Sequence, residues 1–364
     1  MQEATEGRAT IRVSKGVFYN PKMGKLRDIS VTFLRSLKLK NPKLLDATAA
    51  TGIRGIRYAM EAGAGDVTML DINAAAYRNA RSNAKANRVK ARVIGESLQE
   101  FSGSSREAFD VIDLDPFGSP APMVHDALKL SKDGTLLMIT ATDTATLCGA
   151  ESSACLRIYG SQPIHNELCH EAAVRILLGF IAREAGQFNF GIVPLLSIAD
   201  MHYIRVFVAL RHGAKEAAGS VGTSGFLSHC SSCRSFACSR GVTANTPTRC
   251  QECGKEMQTF GPMWMGALKD KGLVTKMRRL SRSYAKESQQ LIAKLDDELD
   301  LPFFYSIPKA TSKMRIGSVP LDSVMKELGR RNAVSRTQFD KDSVKTSADV
   351  KKVTAAVRRV ARLR

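Results

Sequence analysis

Between residues 43 and 210 the chain alternates short apolar runs with amphipathic stretches. KLLDA, VTMLDI, ARVIG, DVIDLDPF and TLLMITAT are compact apolar runs of strand length. ATGIRGIRYAMEAG reads as a turn and helix, AAAYRNARSNAKANR as an alanine-rich helix, and PIHNELCHEAAVRILLGFIAREAG as a long helix. FGIVPLLSI and YIRVFVALRHG predict a hairpin at the end of the sheet. This alternation predicts an α/β fold, a parallel sheet with helices on both faces.

The following GAKEAAGSVGTSG is small and polar and reads as a connector. Two cysteine pairs come next. The tail then offers a helix (SYAKESQQLIAKLDDELD), an aromatic strand (PFFYSIP), a helix (PLDSVMKELGRR), a strand (AVSRTQF) and a last basic helix (VKKVTAAVRRVARLR).

At 364 residues, more than one domain is expected. No apolar run is long enough to span a bilayer. MQEATEGRATIRVSKG lacks the apolar core of a signal peptide, so a cytoplasmic location is expected. The net charge of +19 points to a polyanionic partner. Residues 268–364 hold 23 Lys+Arg against 11 Asp+Glu, so the tail carries most of that excess. A membrane-surface role fits poorly, because the last helix has no aromatic anchor.

In an open parallel sheet, ligands bind beyond the carboxyl ends of the strands, where strand order reverses. Four such ends carry suggestive residues. Asp46 is followed by ATAATGIRG, where Gly52 and Gly55 would let backbone approach a ligand. Asp71 ends VTMLD and could accept from both ribose hydroxyls of a nucleoside; it could equally cap the next helix. Glu96, in VIGES, could accept from an adenine amine. In this order the three describe a site for the adenosyl part of S-adenosylmethionine.

The fourth end, FDVIDLDPFGSP, places Asp115, Pro116 and Phe117 at the mouth of an apolar strand. An exocyclic amine is a poor nucleophile, because its lone pair is delocalised into the ring. A carboxylate and a carbonyl that accept its N–H groups orient the nitrogen and draw its proton. Proline has no N–H and presents only its carbonyl, while phenylalanine offers a stacking face. Asp113 is a candidate acceptor behind Asp115.

At this point the chain resembles the tRNA (guanine-26, N2)-dimethyltransferases, most closely the archaeal members. The resemblance rests on FYNPKMGKLRDIS, DATAATGIRGIRYA, DPFGSP, TATDTATLCG and SRTQFD. It implies a Rossmann-like class I methyltransferase sheet with a C-terminal α+β domain. It further implies Arg27, Arg54, Asp71, Glu96 and Ser97 at the cofactor, Asp115 as the catalytic residue, and Phe18 with Phe117 around the base. Gln338 stands where the family usually has histidine. Residues 1–42 would contribute to the cofactor and base pocket, residues 43–212 form the methyltransferase domain, and residues 213–364 bind zinc and tRNA. No obligate protein partner is evident.

HCSSC and RCQECG give Cys230, Cys233, Cys250 and Cys253 in the spacing C-x2-C-x16-C-x2-C. Two such knuckles can place four thiolates around one structural zinc. An iron–sulfur cluster is the alternative, and Cys238 is a less well spaced ligand. Cys148, Cys155 and Cys169 read as buried small apolar residues, and the six histidines show no metal pattern. Two other functions stay open. One is a zinc-ribbon nucleic-acid-binding protein with an inactive nucleoside-binding domain. The other is an amine methyltransferase acting on another nucleobase or a protein side chain.

Overall fold

The computed structural model describes residues 2–200 and 202–363. An antiparallel hairpin, β1 (Gln2–Glu6) and β2 (Ala9–Val13), precedes α1 (Gly24–Leu37). The alternating region follows as β3 (Lys43–Asp46), α2 (Ile53–Ala62), β4 (Asp66–Leu70), α3 (Ala74–Ala86), β5 (Ala91–Ile94), α4 (Leu98–Ser104) and β6 (Phe109–Leu114). It continues through α5 (Ala121–Lys129), β7 (Ser131–Ala141), α6 (Thr144–Leu147), α7 (Ser152–Tyr159), α8 (Cys169–Gly186), β8 (Phe190–Asp200) and β9 (Tyr203–His212). These strands form one sheet in the order β5-β4-β3-β6-β7-β9-β8. The first five run parallel, and β9 is antiparallel to both neighbours. The expected hairpin therefore closes the sheet. Strand order reverses between β3 and β6, where Asp46 pairs in register with Asp113.

Residues 214–222, expected to be part of a connector, form the helix α9 (Ala214–Gly222). Ser220 on this helix accepts a hydrogen bond from the Ile192 amide of β8 at 3.0 Å. Its three alanines supply helix propensity that outweighs the interspersed glycine and serine.

The remaining elements are β10 (Ser224–His229), β11 (Phe236–Arg240), β12 (Gln258–Trp264), α10 (Lys271–Leu280), α11 (Lys286–Asp297), β13 (Tyr305–Ser306), α12 (Ile307–Met314), α13 (Leu321–Gly329), β14 (Val334–Arg336), β15 (Ser343–Thr346) and α14 (Val350–Arg362). Two strand expectations shrink, to Tyr305–Ser306 and Val334–Arg336. The aromatic run is short because Phe303 and Phe304 bury their rings in the core against α8.

Residues 213–364 do not share one core. Leu273, Val274, Met277, Ile292 and Leu295 complete the core that includes α1 and α2. Met263, Trp264, Phe303, Phe304 and Phe339 join the core on the other face. A small separate interior forms around Cys230, Cys250 and Met257. The last 60 or so residues have an interior of their own, around Val324, Val344, Val353 and Val357. That interior receives the apolar face of α14, leaving its arginines outside. Glu171, fully buried on α8, bonds Arg175, the Phe303 amide and Lys345, which welds the tail to the sheet domain.

Candidate active site

The turn after β3 is built by hydrogen bonds from both neighbouring strands. The Ala49 amide donates to the Leu70 carbonyl at 2.9 Å, and the Ala50 amide to Asp71 Oδ2 at 2.8 Å. Gly52 adopts φ +78° as it enters α2, a left-handed value that disfavours side chains. At Gly55 packing also favours a small residue, since a Cβ there would stand 2.6 Å from Met69 Cε. Asp46 is fully buried and accepts from the Gly55 amide at 3.0 Å. Burial, and then the neighbouring Asp113 charge, push its carboxyl up to about 7. Asp46 thus supports the turn from below.

Asp71 follows β4 and uses Oδ1 to accept from the Asn73 amide at 2.9 Å. The cap of α3 is Asn73, whose side chain accepts from Ala75 and Ala76, so Asp71 is not the cap. Glu96 makes no hydrogen bond or ion pair among the described residues. Ser97 caps α4 reciprocally with Glu100. Arg27 lies with Glu6, at 2.6 Å and 2.5 Å, and bonds the Asn20 carbonyl. Burial alone would raise the Glu6 carboxyl, but Arg27 and Arg57 hold it below its ordinary value. Arg27 therefore ties β1 to the FYNP turn.

Arg54 sits with the acid of the fourth strand end. Its Nη2 is 2.5 Å and its Nε 2.8 Å from Asp115 Oδ2. Beneath them the fully buried Asp113 accepts from Tyr58 Oη, and from Arg205 Nη2 at 2.9 Å to each oxygen. Arg205 also donates to Thr140. Burial raises the Asp115 carboxyl, yet Arg54, Arg205 and the Thr140 hydroxyl together bring it below the ordinary carboxylate value. Asp115 is ionised, with its side chain 22% exposed. Sequence reasoning missed Tyr58 and Arg205, which lie 55 and 92 residues from Asp113 in the chain. An arginine within the apolar run YIRVFVAL was the available signal, since a buried cation demands a partner.

Phe18 and Phe117 are the exposed aromatic residues of the site, at 51% and 75%. Their rings meet edge to face with centroids 4.6 Å apart. The Pro116 carbonyl accepts no hydrogen bond among the described residues. The turn is fixed on its far side by Thr142, whose hydroxyl accepts from the Gly118 amide at 2.7 Å and whose amide donates to the Gly118 carbonyl at 2.9 Å. Next to it, Tyr159 bridges Ser119 and Asp143.

An exposed aromatic pair, a free carbonyl and an ionised acid thus converge at the strand-order switch. The family profile described as N2,N2-dimethylguanosine tRNA methyltransferase matches residues 2–358. The chain belongs to this family. The tRNA (guanine(26)-N(2))-dimethyltransferase of Pyrococcus horikoshii is 35% identical, covering 98% of each chain. The enzyme of the same name from Thermococcus kodakarensis is 36% identical, covering 94% of this chain and 95% of that one. A solved structure of Pyrococcus horikoshii Trm1 in complex with S-adenosyl-L-methionine shares the fold at a TM-score of 0.91. It is 34% identical and covers 98% of this chain and 99% of that one.

This member of the methyltransferase family also carries the four-cysteine cluster. Both knuckles have the same backbone pattern. The Cys230 amide donates to Ser235 and Arg234 donates back to Cys230, while Cys250 bonds Lys255 and Gly254 bonds Cys250. Arg234 and Gly254 occupy equivalent positions at φ +64° and +70°. The Sγ atoms of Cys230 and Cys253 are 3.5 Å apart, and those of Cys233 and Cys250 3.3 Å. All four lie within 4.8 Å of one another. Zinc with Zn–S bonds of about 2.3 Å needs sulfurs about 3.8 Å apart, so the set fits a closed tetrahedral site. Cys238 lies on β11 outside the cluster. Cys155 is buried as expected, but Cys148 and Cys169 are only half-buried and group with His170.

Gln338 donates to the Ser197 carbonyl at 3.0 Å and accepts from the Ala199 amide at 3.3 Å. The residue that departs from the family pattern still docks the tail segment on β8. Among the described residues, no helix is long and apolar enough to cross a membrane.

Proposed function

We propose that this chain transfers methyl groups from S-adenosylmethionine to the exocyclic N2 of guanine 26 in tRNA, giving N2,N2-dimethylguanosine. The observation that carries the reading is Asp115. It is an ionised carboxylate at the strand-order switch, held by Arg54 beside an unused carbonyl and two exposed aromatic rings. When bound, S-adenosylmethionine supplies an electrophilic methyl group.

The protein's own part is to hold the amine. The Asp115 carboxylate and the Pro116 carbonyl accept the two N2–H groups, which turns the nitrogen lone pair out of conjugation. Proton loss to Asp115 accompanies methyl transfer. The lowered Asp115 carboxyl suffices as acceptor, because the nitrogen becomes positively charged as the methyl group arrives, and that cation is far more acidic than a carboxylic acid. Phe18 and Phe117 stack on the two faces of the base. Asp71, Glu96 and the turn opened by Gly52 line the crevice on the adenosyl side. Arg54 serves both sides, with Asp115 as its partner here. Asp46, Arg27 and Ser97 support these segments from behind. The four cysteines hold zinc as a structural ion, and the enzyme works in the cytoplasm on folded tRNA.

The direct test is reaction of a G26-containing tRNA transcript with S-adenosylmethionine, followed by mass spectrometry of its nucleosides. N2,N2-dimethylguanosine appearing only when position 26 is guanine is the expected result. A methylated adenine, or no product, would overturn the assignment.

A further inference from the structure

Two segments that methyl transfer does not use meet beside the turn that holds Gly118. Cys148 ends α6, just past Thr142, and Cys169 opens α8. Their Sγ atoms face each other across this junction, no more than 4.8 Å apart. Together with a ring nitrogen of His170, their ligand atoms all fall within 4.8 Å of one another. The meeting is pinned from both sides. His165 Nδ1 lies 3.0 Å from the Cys148 carbonyl oxygen. Gly149 has φ +86°, and a Cβ there would stand 3.1 Å from His165 Cβ and from the Ile164 backbone. His170 is oriented in turn, with Nδ1 3.4 Å from the Phe339 carbonyl oxygen.

We propose that Cys148, Cys169 and His170 form a second metal site, separate from the four-cysteine cluster, that takes zinc with water in the fourth position. Zinc accepts two thiolates and one imidazole at about 2.0–2.3 Å, which places the ligand atoms roughly 3.5–3.8 Å apart. The observed grouping needs little movement to reach that spacing. Magnesium and calcium are poor occupants, since the set offers no oxygen ligand. All three residues are partly exposed, so an ion can reach them. Metal ligands are typically held by outer hydrogen bonds to backbone carbonyls, and the His170–Phe339 contact supplies one. The ion would join three parts of the protein: the segment bracing the DPFG turn, the start of α8, and the SRTQFD segment of the tail. A disulfide between the same two cysteines is the competing chemistry, and it excludes the metal.

Full-length protein purified under reducing conditions without chelator is assayed for metal by mass spectrometry. Two zinc ions per chain are expected, falling to one in Cys148→Ser and in Cys169→Ser, and also to one, from the other site, in Cys253→Ser. One zinc per wild-type chain, unchanged by Cys148→Ser and Cys169→Ser, overturns the proposal. So does an intact mass two hydrogens light with a Cys148–Cys169 crosslinked peptide. A lost ligand could unfold a variant, so wild-type protein is also produced in cobalt medium. Two cobalt ions with thiolate charge-transfer absorption support the site, and a single ion overturns it. None of these readings depends on which substrate the enzyme methylates.

Discussion

Arg54 grips Asp115 through a single carboxylate oxygen, with Nη2 at 2.5 Å and Nε at 2.8 Å from Oδ2. The arginine comes from the turn-helix after the first sheet strand and the acid from the end of the fourth. One ion pair therefore joins the two sides of the crevice, and it makes separable demands on the chemistry.

Removal of the carboxylate should leave the crevice without its proton acceptor. Asp115→Ala is expected to lower kcat by about 10²–10⁴-fold, the usual cost of a lost general base. S-adenosylmethionine affinity, measured by calorimetry, should change little. Activity near the wild-type level would remove Asp115 from the reaction.

The pair also sets the pH range. Asp115 must be ionised to accept, and its carboxyl is held below the ordinary value, so protonation of Asp115 should not limit the wild-type rate between neutral pH and the usual carboxylate range. In Arg54→Ala, burial is no longer opposed by the nearest cation, and the carboxyl rises. The acidic limb of the pH–rate profile should then move toward neutral pH, with activity at pH 5 falling relative to pH 8. An unshifted limb would show that Arg205 and Thr140 alone hold the ionised form.

The aromatic pair predicts a substrate effect. Stacking of a base on an aromatic ring is worth about 1–3 kcal/mol. Phe117→Ala should therefore reduce kcat/KM for tRNA by about 5- to 150-fold. Cofactor binding in this variant should match wild type, which separates base holding from a general collapse of the site.

The basic tail cannot be tested by deletion, because residues 273–295 fill the core beside α1. Charge reversal is the better probe. Arg279, Arg282 and Lys286 line a groove between α10 and α11 and form no ion pair among the described residues. Changing all three to glutamate should weaken tRNA binding by roughly an order of magnitude or more. It should also flatten the salt dependence, by about one unit of slope for each phosphate that is no longer neutralised. Equal affinity at low and high salt to that of wild type would place the tRNA elsewhere.

Cys253→Ser should lose the ion of the four-cysteine cluster and lower the melting temperature, since a structural zinc adds folding free energy directly. Chelation of the wild type should produce the same change in the tail. Metal-free protein that melts as wild type would deprive the cluster of a structural role.

The sheet and its ligand-facing end were legible in the sequence, because Asp46, Asp71 and Asp115 each close a short apolar run. Their division of labour was not. Asp46 and Asp71 bond amides of the following turn, a use that a strand-end acid shares with ligand binding. Ser97 satisfied a cofactor pattern while its neighbour Glu100 completed a cap, and only the geometry shows both ends of that exchange. The hairpin of Gln2–Glu6 and Ala9–Val13 escaped notice because QEATE has no apolar alternation. Arg205 with Asp113, and Cys148 with Cys169, are pairs that only the folded topology brings together.

With the base held as proposed, the edge contact between Phe18 and Phe117 would act as a sieve on what the enzyme can use. For a base to lie between the rings they must stand about 7 Å apart, two contact distances of about 3.5 Å, whereas the closed pair sits at 4.6 Å. Parting them loses a ring–ring attraction of about 0.5–1.5 kcal/mol, so a free guanine nucleotide keeps only part of its stacking gain. A folded polymer adds distant phosphate contacts to it. The soluble guanine pool would then compete poorly for methyl groups without any residue having to recognise and reject it.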